Sequence, residues 1–448
     1  MPEVVKAPPN DGSFCEKKPT QVVAIEDDSP QSSDILQPRA NALGYDTGED
    51  MTFPKEGLRA WLVVLGSWCG MIATFGISSS MGVLQEYLAK NILTDYSESD
   101  VSWIFSVWLF VMFVGGIQIG PLFDTYGARV LLIAGSICHV LSLFFLAWSK
   151  EYYQFILGFS VLGGIGSTMI FNPCTTVIAH WFWKRRAFAT GIATSGGAIG
   201  GIMFSLSLSK LLETTSYAWS VRVIAFVVLF LCVICVVSVD SRGQKTKAFS
   251  NALMDFKALK NWEFLTLVFA IFMVEWGVFV PMNYLASYCV SRGLTTTYSN
   301  QVLAYLNVGS VFGRACPGYF ADKWGAFNIM TTTSFICGIL CLAVWLPAGS
   351  TKAGVTAFAV LFGFWSGSTI SLTPVCVSRL SPTKDYGRRY GTCYFFSSIA
   401  ALTGMPIAGS LTDHHYLGLI LFAGLVYLLG AFLFLTSRTL AVGKQQIF

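Results

Sequence analysis

The sequence predicts an all-α membrane protein of twelve transmembrane helices, arranged as two six-helix pseudo-repeats. Three observations predict it. The 448 residues are 54% hydrophobic and only 12% charged, with a mean hydropathy of +0.60, where a soluble domain carries about 25% charged residues. Long stretches hold no charge at all, and runs of roughly 20 apolar residues match a ~30 Å hydrocarbon core at ~1.5 Å rise per residue. A short polar stretch also recurs. Gly120 to Arg129 reads GPLFDTYGAR and Gly318 to Phe327 reads GYFADKWGAF, 198 residues later. Gly120, Asp124, Gly127 and Ala128 return as Gly318, Asp322, Gly325 and Ala326. A polar loop repeated at half the length of the apolar region marks two related halves.

The elements follow in order. Residues 1–50 hold ten acidic residues against four basic ones, and six of the fifteen prolines. Such a segment buries too little apolar surface to offset its ordering entropy and reads as a disordered acidic cytoplasmic tail. No basic start followed by an apolar core is present, so the first span itself directs insertion. Apolar spans are expected at 58–86, 101–121, 130–148, 153–178, 188–211, 219–238, 262–288, 299–318, 328–346, 353–378, 391–411 and 417–437. The N-terminal bundle covers 58–238 and the C-terminal bundle 262–437, joined by a linker over 239–261, with a tail at 438–448. Glycines four residues apart, as in Gly66/Gly70, Gly116/Gly120, Gly196/Gly200, Gly197/Gly201 and Gly309/Gly313, allow close helix packing in lipid.

Lysine and arginine counts set the orientation. With both termini in the cytosol, eighteen such residues near span ends face inward and six outward, which is the expected bias. The net charge of +4 belongs to these loops and points to no nucleic acid. Twelve cysteines lie mostly in apolar segments, and the Cys232/Cys235 pair has no polar neighbours, so packing is the reading and neither a metal nor a cofactor is expected. Gly163, Gly164 and Gly166 follow no strand and form no nucleotide fingerprint. No nucleophile with a base is apparent, so the chain does not read as an enzyme.

Several polar residues stand out against this background. Asp124 and Asp322 sit beside glycines at helix ends, where a carboxylate can accept hydrogen bonds from the first amides of a neighbouring helix and complement its dipole. Such a contact can form in one conformation and break in another. Arg129 has only Phe327 opposite it, so the first copy is expected to be the stronger latch. Arg314 is the one cation well inside a span; binding of a carboxylate and snorkelling to the nearby span end are both open. Glu275 lies in the middle of the seventh span, a costly place for a carboxylate and a candidate for proton coupling. His139 is the one histidine deep in a span, where a packed neutral ring competes with proton handling. Asn172, Asn283 and Asn307 add amides that can hold a substrate or join two helices.

The G-x-x-x-D-x-x-G pattern after the second and eighth spans, in a twelve-span chain with a central linker, resembles the major facilitator superfamily. Two further stretches resemble its monocarboxylate porter family, including the fungal branch. Glu56, Gly57, Ala60 and Trp61 fit the opening of that family's first helix, with Leu58 and Arg59 departing from it. Trp181, Phe182, Lys184, Arg185, Arg186, Ala189, Gly191, Ala193 and Gly196 fit the opening of its fifth helix. In the eighth, Arg314 with Pro317 and Gly318 resembles the arginine taken in that family to meet a substrate carboxylate.

The departures are equally specific. Ser310 and Ser79 stand where proton-coupled animal members carry an aspartate and a lysine, so that proton relay is not carried over and Glu275 is the substitute candidate. Gly200-Gly201-Ile202 lacks the proline of drug–proton antiporters. The resemblance implies a secondary transporter working by alternating access on a small organic molecule bearing a carboxylate, with a coupled proton as a further expectation. Export of a secondary metabolite ranks ahead of uptake of a monocarboxylate, in the plasma membrane. A sensor built on the same fold without turnover is the alternative of another class.

Overall fold

The structure, a computed structural model, describes residues 57–96, 98–182, 184–241, 256–348, 351–382, 385–411 and 416–442. The acidic segment 1–50, most of the linker and the last residues of the chain lie outside the described residues. Everything described is helical or a connection between helices. Among the described residues, ten helices are long and apolar enough to cross a membrane: α1 Leu58–Asn91, α2 Asp100–Tyr126, α3 Ala128–Trp148, α4 Tyr152–His180, α5 Arg186–Thr214, α6 Tyr217–Ser238, α7 Trp262–Ser291, α9 Ala326–Trp345, α10 Lys352–Arg379 and α12 Leu417–Ala441. Two more long helices, α8 Thr296–Trp324 and α11 Tyr386–Ser410, are more polar and bring the long helices among the described residues to twelve.

Most helices outrun their apolar stretch, because the backbone ladder continues after hydropathy has fallen. This corrects the reading of the repeated motif as a loop: Gly120 to Tyr126 is the last part of α2, and the chain turns only at Gly127. Gly127 and Gly325 adopt φ of 81° and 89°, a conformation glycine takes at little cost, and α3 and α9 start immediately after them. The final helix likewise continues to Val442, past the span end expected at 437.

The bundle has an apolar outer surface around an apolar core. Helix α6 exposes Trp219, Val223, Phe226, Phe230, Val233 and Val237 along one face, a stripe at helical spacing suited to lipid. The interior is closed by small residues. A methyl group on Gly196 would meet the Trp68 carbonyl and one on Gly200 would meet Gly76, so α1 and α5 touch backbone to backbone. Gly309 and Gly363 do the same between α8 and α10, against Val360 and Leu306. At the α1–α5 contact, where Gly200 meets Ile72 and Gly76, α1 widens into a π-helical turn over Ile72–Gly76, a local rearrangement common at functional sites. Between the first six helices and the last six, α2 packs on α11 and α5 on α8.

Candidate functional site

The two copies of the motif make equivalent contacts. The Asp124 carboxylate accepts the amides of Gly387 at 3.0 Å and Arg388 at 2.9 Å, at the start of α11. The Asp322 carboxylate accepts the amides of Ala187 and Phe188, both at 2.8 Å, at the start of α5. First-turn amides have no partner within their own helix, and the positive end of the helix dipole faces each carboxylate. Each aspartate therefore caps a helix belonging to the other group of six.

The motif glycines make this approach possible. A side chain on Gly120 would run into the Gly387 carbonyl, and one on Gly318 would stand 2.5 Å from the Ala187 carbonyl oxygen. Ala128 and Ala326 are fully packed at the following turn. All four repeated residue types are thus accounted for: close approach, cap, left-handed turn, small neighbour.

The surrounding cations are distributed differently from the expectation. Arg129 is exposed, one turn beyond the contact, and has no part in it, because the helix turns away at Gly127. Lys184 and Arg185 are exposed as well. Arg186 is the buried member of that run. Its guanidinium donates to the carbonyls of Phe182 at 3.2 Å and Ala179 at 2.9 Å, and to Ser378 Oγ on α10 at 2.8 Å. Arg186 and Arg379 both act electrostatically on Asp322, while Asp124 has Arg388 and the opposing charge of Asp385 beside it. Arg129 therefore does not distinguish the two copies at the contact itself.

Arg314 lies in the interior. Helix α8 continues to Trp324, so its end is almost three turns away, and Arg314 is 2% exposed. Snorkelling does not describe this placement. Nε donates to Ser310 Oγ at 3.2 Å and Nη1 to the Thr194 carbonyl on α5 at 2.5 Å. A guanidinium has five N–H donors, so several remain for an anion. Glu275 on α7, 3% exposed, acts electrostatically on Arg314. Among the described residues no ion pair closer than 4.0 Å joins them. Tyr390 and Tyr394 of α11 and Tyr427 of α12 also lie within electrostatic reach of Glu275.

The remaining candidates divide. His139 is fully buried between helices, with Nε2 at 3.0 Å from the Ala73 carbonyl and Nδ1 at 3.0 Å from Ser167 Oγ. Both ring nitrogens are engaged in joining α3 to α1 and α4. Asn172 donates to Thr168, and its buried Oδ1 has no partner among the described residues. Asn307 is half-buried and sits near Ser79 across Gly201, whereas Asn283 is exposed and donates to its own helix at Phe279.

Several residues of this region carry no signal in the sequence. Tyr390, Tyr394, Phe75 and Phe279 are ordinary apolar-span aromatics there. The capped amides are backbone, and only the paired Gly191 and Gly391 of α5 and α11 hint at their equivalence.

Comparisons with known proteins agree with this architecture. Residues 63–377 match the sequence profile of the Major Facilitator Superfamily. The chain is 34% identical over 398 residues to the MFS transporter asaE of Aspergillus flavus, covering 88% of this chain and 90% of that protein. It is 35% identical to the Fujikurins efflux protein of Gibberella fujikuroi, over 94% of this chain and 90% of the relative. Among solved structures, the proton:xylose symporter XylE superposes with a TM-score of 0.67 at 14% identity, covering 84% of this chain and 94% of that one, a likeness of fold. From the twelve-helix bundle, the profile and the full-length relatives together, this multi-pass membrane protein belongs to the Major Facilitator Superfamily of transporters.

Proposed function

We propose that the protein is a secondary active exporter of a carboxylate-bearing secondary metabolite, of the fungal monocarboxylate-porter-like branch, with Arg314 as the anion-binding group. One observation carries this reading: a buried arginine with donors to spare lies within electrostatic reach of a buried carboxylate, Glu275, and no direct ion pair joins them. A substrate carboxylate fits the two-pronged donor geometry of guanidinium. It would compete with Glu275 for the same positive charge, which couples substrate binding to the protonation of Glu275. Export rather than uptake is supported by the full-length similarity to the Fujikurins efflux protein.

The two aspartate caps supply the alternating step in this proposal. With the lysine and arginine bias placing both termini and the motif end in the cytosol of a plasma-membrane protein, the capped conformation is closed on the cytoplasmic side. Breaking both caps opens that side while the opposite end closes. Flux of an organic acid in proteoliposomes, with and without a pH gradient, tests the whole reading. Arg314→Ala should lower flux roughly tenfold or more while the protein still inserts, as expected for losing charge-assisted hydrogen bonds. Unchanged flux would remove Arg314 from the binding site.

A further inference from the structure

We infer that the substrate carries a planar aromatic body beside its acid group, and that Phe75 and Phe279 select for it. The inference rests on the reading of Arg314 as the anion-binding residue and adds the part of the ligand that the arginine does not see.

The first observation is adjacency. A methyl group on Gly197 would lie 2.7 Å from Phe75 Cβ and 2.8 Å from Arg314 Nη1. The guanidinium and the base of the Phe75 ring therefore stand side by side against the same bare patch of α5. An acid held by Arg314 brings its next atoms against that ring.

The second is a continuous run of rings crossing between the two groups of helices. Phe75 meets Phe171 edge-on at 5.1 Å, Phe171 meets Tyr394 at 5.3 Å, and Tyr394 meets Phe113 at 5.5 Å. Phe113 then meets Phe279 of α7 at 6.3 Å. These separations lie in the range where ring quadrupoles attract. Phe171, Tyr394 and Phe113 are buried in the middle of the run, while Phe75 and Phe279, at its two ends, are half-buried.

The third is equivalence under the repeat. Helices α1 and α7 begin at residues 58 and 262, and Phe75 and Phe279 stand at the same distance along each. One turn further, each is followed by an exposed polar residue, Ser79 on α1 and Asn283 on α7. A methyl group on Gly201 would meet both Ser79 and, at 3.7 Å, Asn307 Oδ1, so polar side chains of α1 and α8 approach one another one turn beyond Phe75. The widened π-helical turn at Ile72–Gly76 carries Phe75 into this position. Two pseudo-equivalent half-buried rings at the ends of an aromatic run, with a cation beside one of them, suit a flat conjugated acid. Aliphatic acids of equal charge gain only the arginine.

Binding to the purified full-length protein tests this with a matched pair of probes, 2-naphthoate and its saturated counterpart decahydronaphthalene-2-carboxylate, measured by calorimetry. Naphthoate should bind roughly fivefold to tenfold more tightly, the scale of ring–ring interaction beyond area burial. Phe75→Leu and Phe279→Leu, which keep an apolar side chain, should each bring the ratio of the two dissociation constants toward one. Arg314→Ala should weaken both acids alike. Equal affinity of the two acids, or an unchanged preference in both leucine variants, would overturn the aromatic slot while leaving Arg314 in place. Unchanged binding in Arg314→Ala, or no binding of either acid to the parent protein, would overturn the carboxylate reading and this inference with it.

Discussion

The carboxylate of Asp322 holds the amide of Ala187 at 2.8 Å, and 198 residues earlier Asp124 holds the amide of Gly387 at 3.0 Å. Each bond links a helix of one group of six to the first turn of a helix in the other. They close the same end of the bundle at two places related by the internal repeat.

Asparagine in place of either aspartate turns one of the two accepting oxygens into a donor, and leaving one amide without its acceptor costs about 1–3 kcal/mol, at least roughly fivefold in a two-state population. Asp322→Asn should therefore shift the protein toward opening at the motif end, and Asp124→Asn should do so less, given the cations around Asp322. Maleimide labelling of a cysteine introduced at the half-buried Ser378 should rise in that order. Equal labelling in parent and both variants would show that the caps do not govern opening.

Gly318 tests the closeness of the contact instead of its charge. A side chain there stands 2.5 Å from the Ala187 carbonyl oxygen and 3.0 Å from its carbon, and backbone cannot move aside as a flexible side chain would. Gly318→Val should keep insertion, since α8 tolerates valine, but abolish flux and increase the same labelling beyond Asp322→Asn. Normal flux in this variant would mean that α8 and α5 need not approach so closely.

Glu275 is the buried carboxylate within electrostatic reach of Arg314. Glu275→Gln keeps the shape and removes the titratable group. Flux driven by substrate gradient alone should persist, and its response to an imposed pH gradient should vanish. A full pH-gradient response in the variant would clear Glu275 of coupling.

His139 should behave as structure. Its two ring nitrogens engage Ala73 and Ser167, and removing one partner of a buried hydrogen bond costs about 1–3 kcal/mol. His139→Leu should lower the melting temperature of the purified protein while the pH profile of transport stays as in the parent. A displaced profile with an unchanged melting temperature would give the histidine a part in proton handling.

The sequence by itself determined the fold class, because crossing a bilayer imposes a length and an apolar composition that any reader can measure. Helix boundaries near Leu58, Ala128, Tyr217 and Trp262 follow from that constraint, as does the twofold repeat carried by Gly120 and Gly318. It also singled out Arg314 and Glu275, since charge inside an apolar run is costly and therefore conspicuous. The tertiary structure decided the rest. It placed Arg129 outside the contact, which turns on a single glycine of positive φ at 127, and it buried Arg186 at the start of α5 against Ala179, Phe182 and Ser378. It engaged both nitrogens of His139 in packing, and it set Phe75 beside Arg314. Aromatic residues in an apolar span look alike in one dimension, because lipid-facing and interior-facing rings obey the same hydropathy. Only the packing of α1 on α5 and of α2 on α11 shows which of them meet.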